Sequence, residues 1–368
     1  MSKIEVLEFT QEDQKDEWDK FVNDSYSGDI LSYWGWGETK KDQGWKPLRI
    51  GVTRDGVLIL TALCLLKKAS FLGNYLYIGH GPVFKNKIDL KEALPYLILY
   101  LKGKAKEYKL FTIDIEPRFG DLAPEEQKER LSENLVPLVD GEIKKILILA
   151  GFKTTRRNMQ PVYKLYYDLG RTEDELKADM KKSTRYNIGL AERKGVEVNE
   201  YKASDDSILE KIDSFYDLME EVQRRAKGYP MRPKSSFIRL FKEFKNNDCL
   251  SLFETKYNGE LISINISQKT NYWSSSFYAG SNRLYTEVKA PYLMRWKSVL
   301  SAKAYGSKVY DFWGIIPNSK QHQGYSDNKL SYGGVRINNY GIFTYTLNGF
   351  KSLIWELTIK IRKIIYRI

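Results

Sequence analysis

The chain has 368 residues, 42% of them hydrophobic and 14% aromatic, with 59 Lys and Arg against 47 Asp and Glu. This composition supplies enough apolar side chains for two to three packed domains and excludes disorder throughout. The net charge of +12 asks for an anionic partner: nucleic acid, a phosphorylated substrate or an acidic membrane surface.

Met1 to Thr10 is polar and acidic and lacks the apolar core of a secretory signal. Gln11–Asn23 and Tyr33–Asp42 read as helices. Leu48–Val52 reads as a strand, Asp55-Gly56 as a hairpin turn and Val57–Leu66 as the returning strand. The stretch from Val57 is the longest apolar run and is far too short to span a bilayer. Tyr75–Ile78, the loop Gly79–Pro82, a helix over Leu90–Tyr108 and a strand over Leu110–Ile115 follow. The same order then recurs. Helices over Ile208–Arg225 and Pro233–Asn246 precede a strand at Leu250–Thr255, the turn Asn258-Gly259 and the return Leu261–Gln268. Trp273–Tyr278, a helix over Pro291–Tyr305 and a strand over Val309–Trp313 complete it. Asp55 lies 58 positions before Ile113, and Asn258 lies 53 before Asp311. One α+β unit therefore occurs twice.

Helix, helix, antiparallel strands, helix, strand is the order of the N-acetyltransferase-like (GNAT) fold, so the chain resembles a tandem GNAT protein of the α+β class. The expected domains are residues 1–159, completed by the C-terminal segment 340–368, and residues 160–339. From Phe350 to Ile368 one helical face carries Phe350, Leu353, Ile354, Leu357, Ile361, Ile364, Ile365 and Ile368, with Lys351, Lys360, Arg362, Lys363 and Arg367 supplying charge. Such a helix either closes a domain by packing on it or lies on an anionic membrane; packing is the expectation.

Cys64 and Cys249 have no metal or redox spacing, and His80 and His322 sit in no nucleophile motif. No metal and no cofactor is expected, and a reducing cytoplasm is the expected location, with the inner membrane face as a further contact. Neither GxxxxGK nor GxGxxG occurs, and the glycine-rich turn that holds the CoA pyrophosphate in ordinary GNAT enzymes is missing after Ile78 and after Tyr278. A GNAT-like fold without that loop needs another acyl donor.

Several ordered segments resemble the Fem family of peptidoglycan interpeptide-bridge aminoacyltransferases: Leu31–Trp45 (LSYWGWGETKKDQGW), Ile78–Phe84 (IGHGPVF), Asp114–Pro117 (DIEP), Lys181–Val198 (KKSTRYNIGLAERKGVEV), Tyr278–Ser281 (YAGS), Ala290–Gly306, Tyr310–Ile315 (YDFWGI) and Gly324–Gly334 (GYSDNKLSYGG). Only a turn fits between Thr255 and Gly259, where longer members carry a coiled-coil arm, so the chain resembles the short, FemX-like form. Asn328 stands where the family's closing motif has an aromatic.

The resemblance implies transfer of an amino acid from aminoacyl-tRNA to the stem-peptide amine of a peptidoglycan precursor, either UDP-MurNAc-pentapeptide or lipid II. By alignment, Lys329 lies beside the donor's reacting ester and Glu116 orients or deprotonates the acceptor amine. Lys40 and Arg232 match the cations that hold the precursor's diphosphate, with Phe111 and Tyr278 lining the same groove. Lys181, Lys182, Arg185, Arg193 and Lys194 form the expected tRNA footprint, with Arg156 and Arg157 near in sequence. The competing readings are a GNAT-like transferase acting on an exopolysaccharide or protein, and a non-catalytic protein that binds RNA or a membrane surface.

Overall fold

Both expected hairpin turns form, and both do so with two consecutive left-handed residues. Asp55 and Gly56 have φ of 52° and 79°, and Asn258 and Gly259 have 51° and 80°. That geometry matches the right-handed twist of the flanking strands, which is why an Asx-Gly pair serves here. The computed structural model describes residues 2–226, 231–317 and 323–365. His322, Arg367 and Ile368 lie outside the described residues.

Two compact units emerge, one of residues 1–120, 140–162 and 339–368, the other of residues 121–139 and 163–338. The first unit opens with β1 (Ile4–Glu8), α1 (Lys15–Asn23) and α2 (Trp34–Lys41). It continues with β2 (Lys46–Arg54), β3 (Val57–Lys68), β4 (Asn74–Gly79), β5 (Val83–Phe84), α3 (Lys87–Gly103) and β6 (Leu110–Glu116). The chain then visits the second unit's sheet through β7 (Gly120–Leu122) and returns as α4 (Gly141–Leu149) and β8 (Lys153–Thr154).

The second unit proper runs β9 (Tyr163–Asp168), α5 (Glu173–Asp179), α6 (Lys182–Arg193), β10 (Glu197–Lys202), α7 (Ile208–Ala226) and α8 (Lys234–Glu243). There follow β11 (Leu250–Tyr257), β12 (Glu260–Lys269), β13 (Trp273–Ser281), α9 (Ala290–Tyr305), β14 (Val309–Gly314), α10 (Gln323–Leu330) and β15 (Val335–Asn339). The chain ends back in the first unit with β16 (Phe343–Thr346) and α11 (Gly349–Ile365).

The first sheet has the order β1-β2-β3-β4-β6-β16-β8, with β5 paired to β3; the second has β10-β11-β12-β13-β14-β9-β15-β7. In each, an antiparallel meander is followed by one parallel pair, β4 with β6 and β13 with β14, joined by a crossover helix. Those helices bury their apolar stripes on the meanders. Leu90, Ala93, Leu94, Leu97 and Leu101 of α3 pack in one core with Ile50, Leu60, Leu76 and Ile113. Leu293, Trp296, Val299 and Ala302 of α9 pack with Tyr310 and Phe312.

Three features differ from the sequence expectation. The polar N-terminus contributes the edge strand β1, which pairs with β2 from Ile4↔Arg54 to Glu8↔Ile50. Residues 121–139, expected in the first domain, belong to the second unit, because Leu135 and Leu138 are buried against Tyr166, Trp273, Val309 and Ile337. The terminal helix α11 does pack on its own unit, but through one edge of its apolar face only. Ile354 and Trp355 fill the contact with Ala69, Leu72 and Phe111, while Phe350, Leu353, Leu357 and Ile361 stay exposed.

Candidate active site

The parallel pair behaves differently in the two units. In the first, β4 and β6 stay paired from Asn74↔Leu110 to Gly79↔Glu116, and the His80 amide extends the contact to the Glu116 carbonyl at 2.8 Å. In the second, β13 and β14 pair only at Trp273↔Val309, Ser274↔Tyr310 and Ser275↔Asp311. Beyond that point β13 runs on to Ser281 and β14 to Gly314, and the strands part. The backbone polar groups past the split are therefore available to a loop, a side chain or a ligand.

Lys329 fills part of that opening. It sits near the C-terminus of α10, is 2% exposed, and donates to the Gly314 carbonyl at 2.8 Å and to the Tyr325 hydroxyl. Its ammonium also lies 4.0 Å from the Tyr325 ring centroid. Burial drives its pKa well below the ordinary lysine value, and the Arg295 and Lys164 cations add to the fall while Asp311 opposes it. The Gly314 carbonyl is aimed by a bulge: β14 meets β9 at Asp311↔Tyr166 and then at Gly314↔Lys164. Trp313, within the bulge, has a left-handed φ of 63°, held by its amide donating to Asp311 Oδ1 at 2.6 Å. The other Asp311 oxygen pairs with Lys164 Nζ at 3.0 Å, and both side chains are fully buried.

The glycines of the closing motif are required by the backbone. Gly333 and Gly334 have φ of 85° and 87°, and a Cβ on them would stand 2.5 Å from the Asp179 carbonyl oxygen and 2.6 Å from that of Tyr166. Just before them, Ser331 accepts the Lys181 amide at 2.9 Å through its carbonyl and the Thr184 hydroxyl at 2.7 Å through Oγ. The start of the basic helix α6 is thereby fixed two residues from Lys329.

A cavity of about 420 Å³ opens beside this cluster, and Tyr325 and Asn328 line one wall. Arg225, Lys289 and Arg295 line it as well, together with Pro291 in the first turn of α9. A helix N-terminus with three cations around it suits an anionic group. Gly280 of β13 also lines it, and a Cβ there would meet the Met219 sulfur at 2.6 Å, so the YAGS glycine lets α7 approach the strand. Arg295 donates to the Asn328 side chain, which accounts for an amide rather than an aromatic at that position.

The structure brings Arg232 and Tyr278 together: the guanidinium lies 5.5 Å from the ring centroid, and the ring is held edge-on by Phe237 at 5.2 Å. Burial raises the Tyr278 pKa, so the phenol stays neutral beneath the guanidinium. Lys40 in α2 is half-buried, donates to Gln43 at 3.1 Å and lies 4.6 Å from the Trp36 ring centroid.

Of the expected tRNA footprint, Lys181, Lys182, Arg193 and Lys194 are exposed on and beside α6. Arg185 is exposed as well but is partly engaged. Its guanidinium donates to the carbonyls of Lys177, at 3.1 Å, and Met180, closing the C-terminus of α5. Arg157 likewise is committed, bidentate to Asp114 at 2.9 and 3.0 Å and paired with Glu356.

Two further expectations change. Phe111 is fully buried under α11, 6.1 Å from Trp355 by ring centroids, and so lines no groove. Glu116 is buried too, and its lone pairs are committed. Its oxygens accept from the Tyr77 hydroxyl at 2.6 Å, from the Met159 amide at 3.0 and 3.1 Å, and from the Gln160 amide at 3.0 Å. A carboxylate so satisfied anchors the 159–160 segment and is poorly placed to take a proton. Glu116→Gln should therefore cost about 1–3 kcal/mol of stability, because an amide NH₂ would face backbone donors. Turnover per folded molecule should stay within about threefold of wild type, checked by thermal melts alongside active-fraction kinetics. A loss of 10²-fold at unchanged stability would restore the base role.

The residues that sequence reasoning missed are Arg295, Tyr325, Lys164 and Asp311. Lys164 carried the clearest signal, a charge inside the alternating strand YKLYYD, and Arg295 is a charge on the buried stripe of α9. Among the described residues no group of three or more His, Cys, Asp or Glu side chains could hold a metal ion. No described helix is long and apolar enough to cross a membrane.

Comparison with known proteins gives a consistent family. The FemAB family model matches residues 14–272 and 261–358. The chain is 30% identical over 258 residues to a lipid II:glycine glycyltransferase of Staphylococcus aureus (strain MRSA252), an alignment covering 69% of this chain and 56% of that protein. The chain thus spans about half the length of the curated relatives it matches. In structure it is similar to the crystal structure of FemX, with a TM-score of 0.79 at 21% identity over 96% of this chain and 99% of the other. It is also similar to a tandem GNAT protein from the clavulanic acid biosynthesis pathway, with a TM-score of 0.53 at 8% identity over 94% and 99%. At such identities these likenesses speak to fold, and the fold is tandem GNAT. The family match runs through both units and takes in the segment that carries Lys329: the chain belongs to the FemAB family.

Proposed function

We propose that this protein is an aminoacyltransferase that moves an amino acid from aminoacyl-tRNA to the stem-peptide side-chain amine of a peptidoglycan precursor. The observation that carries this reading is the buried Lys329 at the split between β13 and β14, beside a cationic cavity at the N-terminus of α9. The matched relatives that bear the name lipid II:glycine glycyltransferase support the acceptor class.

In this reading the cavity receives the 3′-terminal nucleotide of the donor, with Arg225, Lys289 and Arg295 facing its phosphates. The acceptor amine attacks the ester carbonyl, the carbon–oxygen bond to the ribose breaks, and an amide forms. The amine's proton must leave and the ribose oxygen must gain one. Lys329, a stronger acid than a solvated lysine, stabilises the developing oxyanion and can pass a proton to the departing ribose oxygen. The proton released by the amine to solvent restores Lys329, so that the turnover closes with no net proton change. Lys181, Lys182, Arg193 and Lys194 are proposed contacts to the tRNA backbone. Lys40 and Arg232 are each proposed as ligands of the acceptor's diphosphate, Arg232 pre-oriented by the Tyr278 ring.

The test is to incubate the protein with a pool of charged tRNAs and with both the nucleotide-linked and lipid-linked precursors, and to read the mass added. One aminoacyl increment on a precursor is expected, abolished by ribonuclease treatment of the donor. Losing the Lys40 and Arg232 charges together (Lys40→Ala, Arg232→Ala) should weaken acceptor affinity at least roughly tenfold, as expected for charge-assisted hydrogen bonds. No mass gain on either precursor would remove the acceptor assignment.

A further inference from the structure

Four residues of the apolar face of α11 are left uncovered by the fold. Phe350, Leu353, Leu357 and Ile361 are 75%, 60%, 49% and 54% exposed, and their spacing sets them in one line along the helix. Trp355, which stacks on Tyr75 at 5.1 Å, lies roughly 140° around the helix from Phe350 at 100° per residue. The helix is thus held by Trp355 and by Ile354 at the edge of the stripe, and presents Phe350, Leu353, Leu357 and Ile361 outward.

A second apolar group lies beside it on a different element. Phe71, 81% exposed, is at the centre of the turn Ser70–Leu72. Its neighbour Leu72 packs in the same cluster as Ile354 and Trp355. Exposed cations accompany both groups. Lys68 precedes the turn, and Lys109, whose carbonyl accepts the Asn74 amide at 2.9 Å, adjoins it. Lys360 is exposed on the helix, and Lys351 is half-buried one residue after Phe350. Glu356, the acidic residue within 349–361, pairs with Arg157 at 2.9 Å, a guanidinium that Asp114 shares, so the four lysines outnumber it on this face.

We infer that α11 and the Phe71 turn form a docking surface for an anionic lipid bilayer, with the stripe entering the headgroup–acyl boundary and the lysines meeting lipid phosphates. Charge complementarity selects this occupant. A second copy of the chain set face to face would bring Lys351 and Lys360 against their own counterparts, a like-charge contact, whereas anionic lipid neutralises them. The inference does not depend on the donor or acceptor proposed above. A bilayer-bound protein would meet a lipid-linked acceptor at the surface where that acceptor resides.

The experiment is flotation of the full chain with phosphatidylglycerol–phosphatidylcholine vesicles and with pure phosphatidylcholine vesicles, at low and high salt. Binding to the anionic vesicles is expected, weakening with salt and falling at least roughly tenfold when Leu353→Glu and Leu357→Glu are combined. Phe71→Ser, on another element, should reduce it in the same direction. Thermal melts of these exposed-site variants identify any that fail to fold, and aminoacyl transfer to the nucleotide-linked precursor should be unchanged in them. The inference is overturned if anionic vesicles do not bind the wild type at low salt, or if the folded double variant floats equally well. Self-association that the double variant abolishes, without vesicle binding, would assign the face to a second copy instead.

Discussion

Replacing Lys329 with methionine should lower turnover by roughly 10²-fold or more without lowering thermal stability at neutral pH. The first half rests on position: the ammonium sits where the parallel strands part, against the Gly314 carbonyl at 2.8 Å, one wall away from the cavity. The second half rests on the direction of its pKa. Burial holds the folded-state value well below the ordinary 10.5. Between the folded and unfolded values the unfolded chain binds the extra proton, so folding is penalised there and at every lower pH, and stability rises as pH climbs toward about 10.4. Methionine fills similar volume, does not titrate and removes this penalty, while the Gly314 carbonyl loses one donor at a cost of about 1–3 kcal/mol. The melting midpoint at neutral pH should therefore hold or rise, and any gain should shrink toward about pH 10. If protonated Lys329 drives the reaction, the alkaline limb of kcat/KM should fall well below the value of a solvated lysine. Lys329→Arg should remove that limb. Parallel loss of turnover and midpoint in Lys329→Met would make the lysine a scaffold residue.

Asp311→Asn should destabilise the second unit by about 3–5 kcal/mol, the cost of leaving a buried cation without its counter-charge. Lys164 and Asp311 are both fully buried and 3.0 Å apart, and the Lys164 ammonium also lies over the Trp313 ring, 4.0 Å from its centroid. An asparagine keeps an acceptor for the Trp313 amide, so the bulge can survive while the ion pair does not. At roughly 2–4 °C per kcal/mol for a unit of this size, the midpoint should fall by about 10 °C. Asp311 also raises the Lys329 pKa, so its removal should depress that value further and move the alkaline limb to lower pH. Pairing the change with Lys164→Met restores charge balance and should recover much of the lost stability. A drop of less than about 1 kcal/mol would mean that Lys164 finds another partner or sheds its proton.

The candidate site was legible only where its residues lie in a local motif. Lys329 was visible in the closing segment, and so were the two glycines after it, whose left-handed φ and crowding by Asp179 and Tyr166 explain their identity. The partners that decide how Lys329 behaves come from α9, β9 and β14, and no spacing rule links Arg295, Lys164 and Asp311 to position 329. Glu116 shows the converse. Its place at the end of β6 resembled a family position, but only the tertiary structure reveals that Tyr77, Met159 and Gln160 use its oxygens. Phe111 was misjudged for the same reason: residue type indicates what a side chain can do, and its neighbours determine whether it is free to do it.

By itself the sequence determined the repeat, because strand, Asx-Gly turn, strand and crossover helix are each written in contiguous residues with their own period. Both hairpins, both crossover helices and both parallel strands follow from it. The tertiary structure alone decided three things. It kept β4 and β6 zipped to the end while β13 and β14 split, so that one copy of the same unit carries an opening. It moved residues 121–139 into the second unit through Leu135 and Leu138. It also turned α11 so that Trp355 and only the Ile354 edge of the apolar stripe make the contact. Each is a choice among surfaces of similar hydrophobicity, settled by packing between residues distant in the chain, and local patterning carries no record of that.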